Sequence, residues 1–173
     1  MQHRLSAPRP EFAGLAMARP AVMGILNVTP DSFSDGGRFI DPAAALSQAR
    51  AMAEGADVLD IGGESTRPGA AEVAVEEEIA RTAPVIAALR AGGLHSAISV
   101  DTRKAAVAEA ALAAGAGIIN DVSAMGFDAG MAGLAAAQAA PIILMHSVAT
   151  PATMQDDPRY DDVVADILDF FEE

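Results

Sequence analysis

The sequence predicts an α/β fold, the leading part of a (β/α)8 barrel, and three observations carry that prediction. Short apolar runs alternate with Ala-rich helical segments in a unit that recurs five times from residue 21 onward. The runs are nearly continuous in Ala, Val, Ile, Leu and Met rather than alternating with polar residues, the pattern of strands covered on both faces in a parallel sheet. A polar residue ends or nearly ends each run: Asn27, Asp60, Asp101, Asn120 and His146. Barrel enzymes gather their catalytic groups at the carboxyl ends of their strands, whereas a doubly wound open sheet concentrates its site at one switch point.

The predicted strands are Ala21 to Asn27, Ala56 to Gly62, Ala97 to Asp101, Gly117 to Asp121 and Pro141 to His146. Asp41-Pro42 reads as an N-cap followed by Pro at the first helical position, and Gly55 closes that helix. The second helix carries Glu76, Glu77 and Glu78 in its first turn and Arg90 in its last, which complements the helix dipole. Pro84 inside it should kink it or remove a turn of hydrogen bonds. The third helix is expected from about Arg103 to Ala114, the fourth from about Gly130 to Ala139, and the fifth from near Tyr160. A whole barrel needs eight strands and about 250 residues. The 173 residues hold five units and stop inside a helical pattern, so an incomplete barrel is expected. Residues 1–20 read as a loosely ordered amino-terminal tail and residues 21–173 as the barrel domain.

Composition narrows the function. Aromatics are 4% and Trp is absent, so small aliphatic side chains must fill the core. A net charge of −13 repels phosphate backbones and argues against a nucleic-acid partner. The absence of cysteine rules out disulfides, zinc-thiolate sites and thiol catalysis. The amino end makes a poor signal peptide and no apolar run is long enough to span a bilayer, so the expectation is a cytoplasmic protein without a membrane partner.

Four loops carry the chemistry. Met23 to Gly37 brings Asn27 to a strand end, followed by the oxygen-rich run Thr29, Asp31, Ser32, Ser34 and Asp35. An amide oxygen there suits Mg²⁺, which takes few protein ligands; equally, Asn27 caps the loop and the Asp and Ser residues are turn formers. In the second loop, Asp60 to Gly69, Ser65, Thr66 and Arg67 offer an anion site. Asp60 and Glu64 are candidate metal ligands, although Asp60 accepting backbone hydrogen bonds across the barrel mouth and Glu64 pairing with Arg67 is the simpler reading. Asp101 and Asn120 put an acid and an amide on adjacent strand ends, suited to the donor and acceptor edge of a nitrogen heterocycle. Asp121 reads as structural, a loop cap bridged to Lys104 or Arg103. His146 is a candidate proton carrier or ligand, with a hydrogen-bonded wall residue the simpler reading, and Met145 reads as a packing residue or as the lining of an apolar slot for a flat ring.

Segment by segment, MGILNVTPDSFSDGG (23–37), DIGGESTRPGA (60–70), ISVDTRKA (98–105), AGAGIINDVS (114–123), IILMH (142–146) and TPATMQDDPRY (150–160) resemble the dihydropteroate synthases. The resemblance implies a folate-pathway transferase. It would join 6-hydroxymethyl-7,8-dihydropterin pyrophosphate to p-aminobenzoate with Mg²⁺, through a resonance-stabilised cation. It further implies that Asn27 binds Mg²⁺ and pyrophosphate, that Thr66 also holds pyrophosphate, and that Asp101 and Asn120 bind the pterin ring. Phe33, Asp35, Arg67 and Pro68 would close over the site and form the p-aminobenzoate pocket, where sulfonamides compete. Family members are usually homodimers. Their later acid, Lys segment and Arg-x-His pair have no counterpart up to Glu173, which makes activity of the 173 residues alone an open expectation. Ser147-Val148-Ala149 and Ala124-Met125 depart from the family's usual residues. Two other functions belong to similar barrels: a methyltetrahydrofolate:corrinoid methyltransferase, which would not require the first loop or Thr66-Arg67, and a non-catalytic pterin-binding paralogue.

Overall fold

The structure, a computed structural model, describes residues 11–29, 42–65, 71–147 and 159–172. Its centre is a five-stranded parallel sheet made of β3 (Met23–Asn27), β4 (Val58–Gly62), β5 (Ala97–Asp101), β6 (Ile118–Asp121) and β7 (Ile142–Leu144), adjacent in chain order. Between them run α1 (Pro42–Ala53), α2 (Val75–Ala91), α3 (Ala105–Ala114) and α4 (Met131–Ala137), and α5 (Val163–Glu172) follows β7. Sequential βα units with neighbouring strands always paired are the construction of a (β/α) barrel, and these are its first five units. All five predicted strands and helices are present, mostly shortened by a residue or two.

Register separates the two faces of the sheet. Ile25, Asp60, Ser99 and Ile118 are successive partners, as are Asn27, Gly62, Asp101 and Asn120. Partners in a parallel register point the same way, and so do residues two apart on one strand. The intervening residues Leu26, Leu59, Ile61, Ile98, Val100 and Ile119 are fully buried and pack with Val85, Ile86 and Leu89 of α2 and Ala108 and Ala111 of α3. That layer between sheet and helices is the core. The other face is the inner one, where Ile25 is 57% exposed while the next residue, Leu26, is fully buried. One step along the chain therefore moves a side chain from core to lumen.

Helix α2 runs through Pro84 as one 17-residue element. The residues on either side explain it. Glu78, Thr82, Val85, Ile86 and Leu89 are all buried, so the packed face sustains a helix that has lost one backbone donor. Gly63, just after β4, packs against the same helix, and a Cβ there would sit 2.9 Å from Thr82 Cγ2 and 3.0 Å from Glu78 Cγ. Only glycine lets the β4 loop lie this close to α2.

Residues 11–20 contain structure that the sequence reading did not anticipate. β1 (Glu11–Phe12) and β2 (Leu15–Ala16) form an antiparallel hairpin whose turn residues Ala13 and Gly14 both have positive φ, as the tight primed turns require. Beyond it, Arg19 grips Asp57 with both terminal nitrogens, at 2.9 and 2.6 Å, and Asp57 also accepts the Val22 N–H at 2.8 Å. The guanidinium and that N–H hold the Asp57 carboxyl below its ordinary value.

The departure at Ala124-Met125 falls on a strained turn. Both residues are left-handed, φ 50 and 66, a region that disfavours side chains. The Asp121 carboxylate holds the turn, accepting the Ser123 N–H and hydroxyl on Oδ1 and the Met125 N–H on Oδ2. Asp121 is thus the loop cap expected of it, without the bridge to Lys104 or Arg103. Ala124→Gly is expected to raise the urea midpoint, worth about 1 kcal/mol; an unchanged or lower midpoint contradicts the strain.

Candidate active site

At the carboxyl end of the sheet, Asn27, Gly62, Asp101 and Asn120 form one row across four strands. A Cβ on Gly62 would lie 3.5 Å from Asn27 Oδ1 and 3.5 Å from Asp101 Oδ2, so both side chains converge over the bare glycine backbone. The row is half open: Asn27 is exposed, Asp101 and Asn120 are half-buried. Three of the residues singled out from the sequence are therefore brought together. Met145, the fourth among the described residues, follows β7 with its N–H on the Asp121 carbonyl at 3.3 Å. Phe33, Asp35, Thr66, Arg67 and Pro68 lie outside the described residues.

Asp101 has the most unusual environment. Its Oδ1 is buried and has no hydrogen-bond partner. Burial, and after it the negative charges of Asp60, Glu78, Asp121 and Glu64, push its carboxyl up to about 7. A carboxyl kept short of partners and aimed into an open row is a group waiting for a donor or a cation.

Asp60 lies one layer deeper than the sequence suggests and is 2% exposed. Among the described residues no backbone N–H donates to it across the mouth. Its Oδ1 takes the Ser99 hydroxyl at 2.5 Å and its Oδ2 takes the Asn120 amide at 3.0 Å. Burial pushes this carboxyl up, against the two hydrogen bonds.

The acidic residue of the second loop has partners far along the chain. Glu64 is held by Arg103 at 2.6 Å, by Lys104 at 2.7 Å and by the Val73 N–H at 2.7 Å; the pairing expected with Arg67 lies outside the described residues. Lys104 spends its three ammonium protons on Glu64, on Glu78 at 2.7 Å and on the Val73 carbonyl at 2.8 Å. Thr102 closes the network by donating to Glu78 Oε1 at 2.6 Å. Glu64, Glu78, Thr102 and Lys104 are all buried. Burial alone would raise Glu64, but Lys104, the Val73 N–H and Arg103 outweigh it and hold the carboxyl low. The same carboxylates outweigh burial at Lys104 and raise it. This network ties the loop after β4 to the residues that follow Asp101. Arg103 also stacks over Phe127, 4.2 Å from the ring centre.

His146 contacts rings rather than the row, meeting Phe170 edge-on at 4.8 Å and Tyr160 at 5.8 Å. Among the described residues no group of three His, Cys, Asp or Glu side chains makes a metal cage, and Asp60 and Glu64 are committed to other partners.

Comparison with known proteins puts these residues in context. The family model described as pterin binding enzyme matches residues 23–173. A probable bifunctional folylpolyglutamate synthase/dihydropteroate synthase of Haloferax volcanii is 57% identical over 150 residues, covering 86% of this chain and 18% of that protein. A dihydropteroate synthase of Synechocystis sp. is 50% identical over 154 residues, 88% of this chain and 53% of that protein. Among solved structures, Xanthomonas albilineans dihydropteroate synthase with 4-aminobenzoic acid superposes with a TM-score of 0.80 at 51% identity, covering 92% of this chain and 57% of that one. The chain thus spans little more than half of the latter two, and less of the first.

Proposed function

Because the chain belongs to the pterin-binding enzyme family, we propose that it carries the pterin side of a dihydropteroate synthase site. The reaction would join 6-hydroxymethyl-7,8-dihydropterin pyrophosphate to p-aminobenzoate. The observation that carries this reading is the row Asn27, Gly62, Asp101 and Asn120, an amide, a bare backbone, an unpartnered acid and a second amide at the carboxyl ends of adjacent strands. A flat heterocycle lies against Gly62, where no side chain stands, and offers its ring N–H groups to Asp101 and its mixed edge to Asn120. The related Xanthomonas structure, with 4-aminobenzoic acid, supports the second substrate.

The bond between the pterin methylene and the pyrophosphate oxygen breaks with both electrons leaving on oxygen. The cation left on the methylene and ring is stabilised by the Asp101 carboxylate, which faces it from a poorly solvated position. The amine lone pair of p-aminobenzoate then forms the new C–N bond and the nitrogen loses a proton. Asn27 offers an exposed amide oxygen on the rim of the row. That single hard donor fits Mg²⁺, which takes few protein ligands and would leave room for substrate phosphate and water. A Mg²⁺ ion held by Asn27 would supply positive charge to offset that of the pyrophosphate leaving group. By the family resemblance Thr66 would hold the pyrophosphate as well, Phe33, Asp35, Arg67 and Pro68 would serve the p-aminobenzoate side, and Met145 would line the ring. A phosphorylated and reactive substrate argues for the cytoplasm as its compartment.

Incubating the full chain with both substrates and Mg²⁺ is expected to yield 7,8-dihydropteroate and pyrophosphate in equal amounts, with neither formed when Mg²⁺ is chelated. Binding of the pterin pyrophosphate without either product would instead identify a non-catalytic pterin-binding protein.

A further inference from the structure

Asp60 is buried beneath the row, and its two oxygens have one donor each, Ser99 Oγ on Oδ1 and Asn120 Nδ2 on Oδ2. A carboxylate only accepts, so the amide of Asn120 must turn its nitrogen toward Asp60. What remains for a ligand is then fixed: the Asn120 oxygen and its second N–H face the opening in one order and never the reverse. An amide free to flip would read a donor–acceptor edge in either sense. We propose that Asp60 is a positioning residue for ring specificity, holding Asn120 in the polarity that selects a 2-amino-4-oxopteridine and rejects its 2-oxo counterpart.

The chemistry of the two rings gives the distinction. In the 2-amino ring the exocyclic group donates and the neighbouring N1 accepts. In the 2-oxo ring the exocyclic group accepts and N1–H donates. With the amide locked, one ring meets complementary groups and the other meets oxygen against oxygen and N–H against N–H, leaving buried groups unpaired. Asp60 acts at a distance, through Asn120.

The inference rests on the reading that Asn120 faces the pteridine, and its test separates the two. The dissociation constants of 6-hydroxymethylpterin and 6-hydroxymethyllumazine are measured for the full chain and for Asp60→Asn and Ser99→Ala. The unaltered chain is expected to favour the pterin by about tenfold or more. Asp60→Asn offers Asn120 both an acceptor and a donor, so either polarity is held and the preference falls to within about threefold. Ser99→Ala leaves the acceptor on Asn120 and keeps the preference. A pterin preference that persists in Asp60→Asn, or that is lost in Ser99→Ala, overturns the role of Asp60 while leaving the pterin site standing. Failure of the unaltered chain to bind either ring overturns the functional reading itself, and this inference with it. Should Asp60→Asn not fold, hydrogen exchange decides: in the unaltered chain one Asn120 side-chain proton is expected to exchange more slowly than the other, and equal exchange overturns the proposal.

Discussion

Asp101→Asn is expected to stabilise the protein above neutral pH while lowering turnover by roughly a hundred- to a thousandfold, the loss typical of removing one group aimed at a developing charge. The two effects share a cause. Asp101 is a carboxyl whose Oδ1 has no partner and which sits among Asp60, Glu78, Asp121 and Glu64. Its value rises from 3.8 to about 7 in the folded chain. Between those two pH values the unfolded chain has released the proton that the folded chain keeps, so rising pH costs stability across that window, and the cost is complete above about 7. The gap corresponds to at most about 4 kcal/mol. Asn is neutral and of the same shape, and after its own desolvation the net gain at pH 8 should be roughly 2 kcal/mol. Chemical denaturation at pH 4 and pH 8 checks this: the variant's advantage should appear only at the higher pH. An advantage of equal size at both would point to packing rather than charge.

Lys104→Met is expected to be the most destabilising single change in the buried network, at about 3–5 kcal/mol. The ammonium is the shared cation of Glu64 and Glu78, 2.7 Å from each. Its removal leaves two buried carboxylates to repel one another, with Arg103 reaching only Glu64. The pH dependence identifies the mechanism. Glu64 has a depressed value, so its contribution is fully present above its ordinary 4.5 and is lost as the pH falls through the lower folded value. The difference between Lys104→Met and the unaltered chain should therefore narrow in acid, where the stranded carboxylates take up protons. A penalty that does not change between pH 7 and pH 4 would show that lost packing of the Lys stem dominates.

The strands and helices were legible because their signals are local: continuous apolar runs, Ala-rich segments and closing glycines lie within each element. The row was legible for the same reason, since Asn27, Asp101 and Asn120 each end an apolar run and a parallel register aligns run ends. The partners of the acids were not. Glu64 and Lys104 are 40 residues apart, and Asp60 and Asn120 are 60 apart, so nothing near either acid in sequence announces its partner. Local reading treated Glu78 as one of three dipole-compensating acids. In the fold Glu78 is 1% exposed and accepts from both Thr102 and Lys104. The unbroken course of α2 across Pro84 was not legible for a related reason. The penalty of a missing backbone donor is local, whereas the packing of Val85, Ile86 and Leu89 that overcomes it comes from the sheet.

The account turns on where the pterin binds. The most direct measurement is an NMR titration of the isotopically labelled full chain with 6-hydroxymethyl-7,8-dihydropterin pyrophosphate and Mg²⁺. Resonances of Asn27, Gly62, Asp101 and Asn120 are expected to shift together with one saturation curve, while those of the β1–β2 hairpin and of the α2–α3 surface stay in place. Saturable shifts confined to the hairpin or the outer helices, with the four residues of the row unmoved, would contradict the assignment of this site.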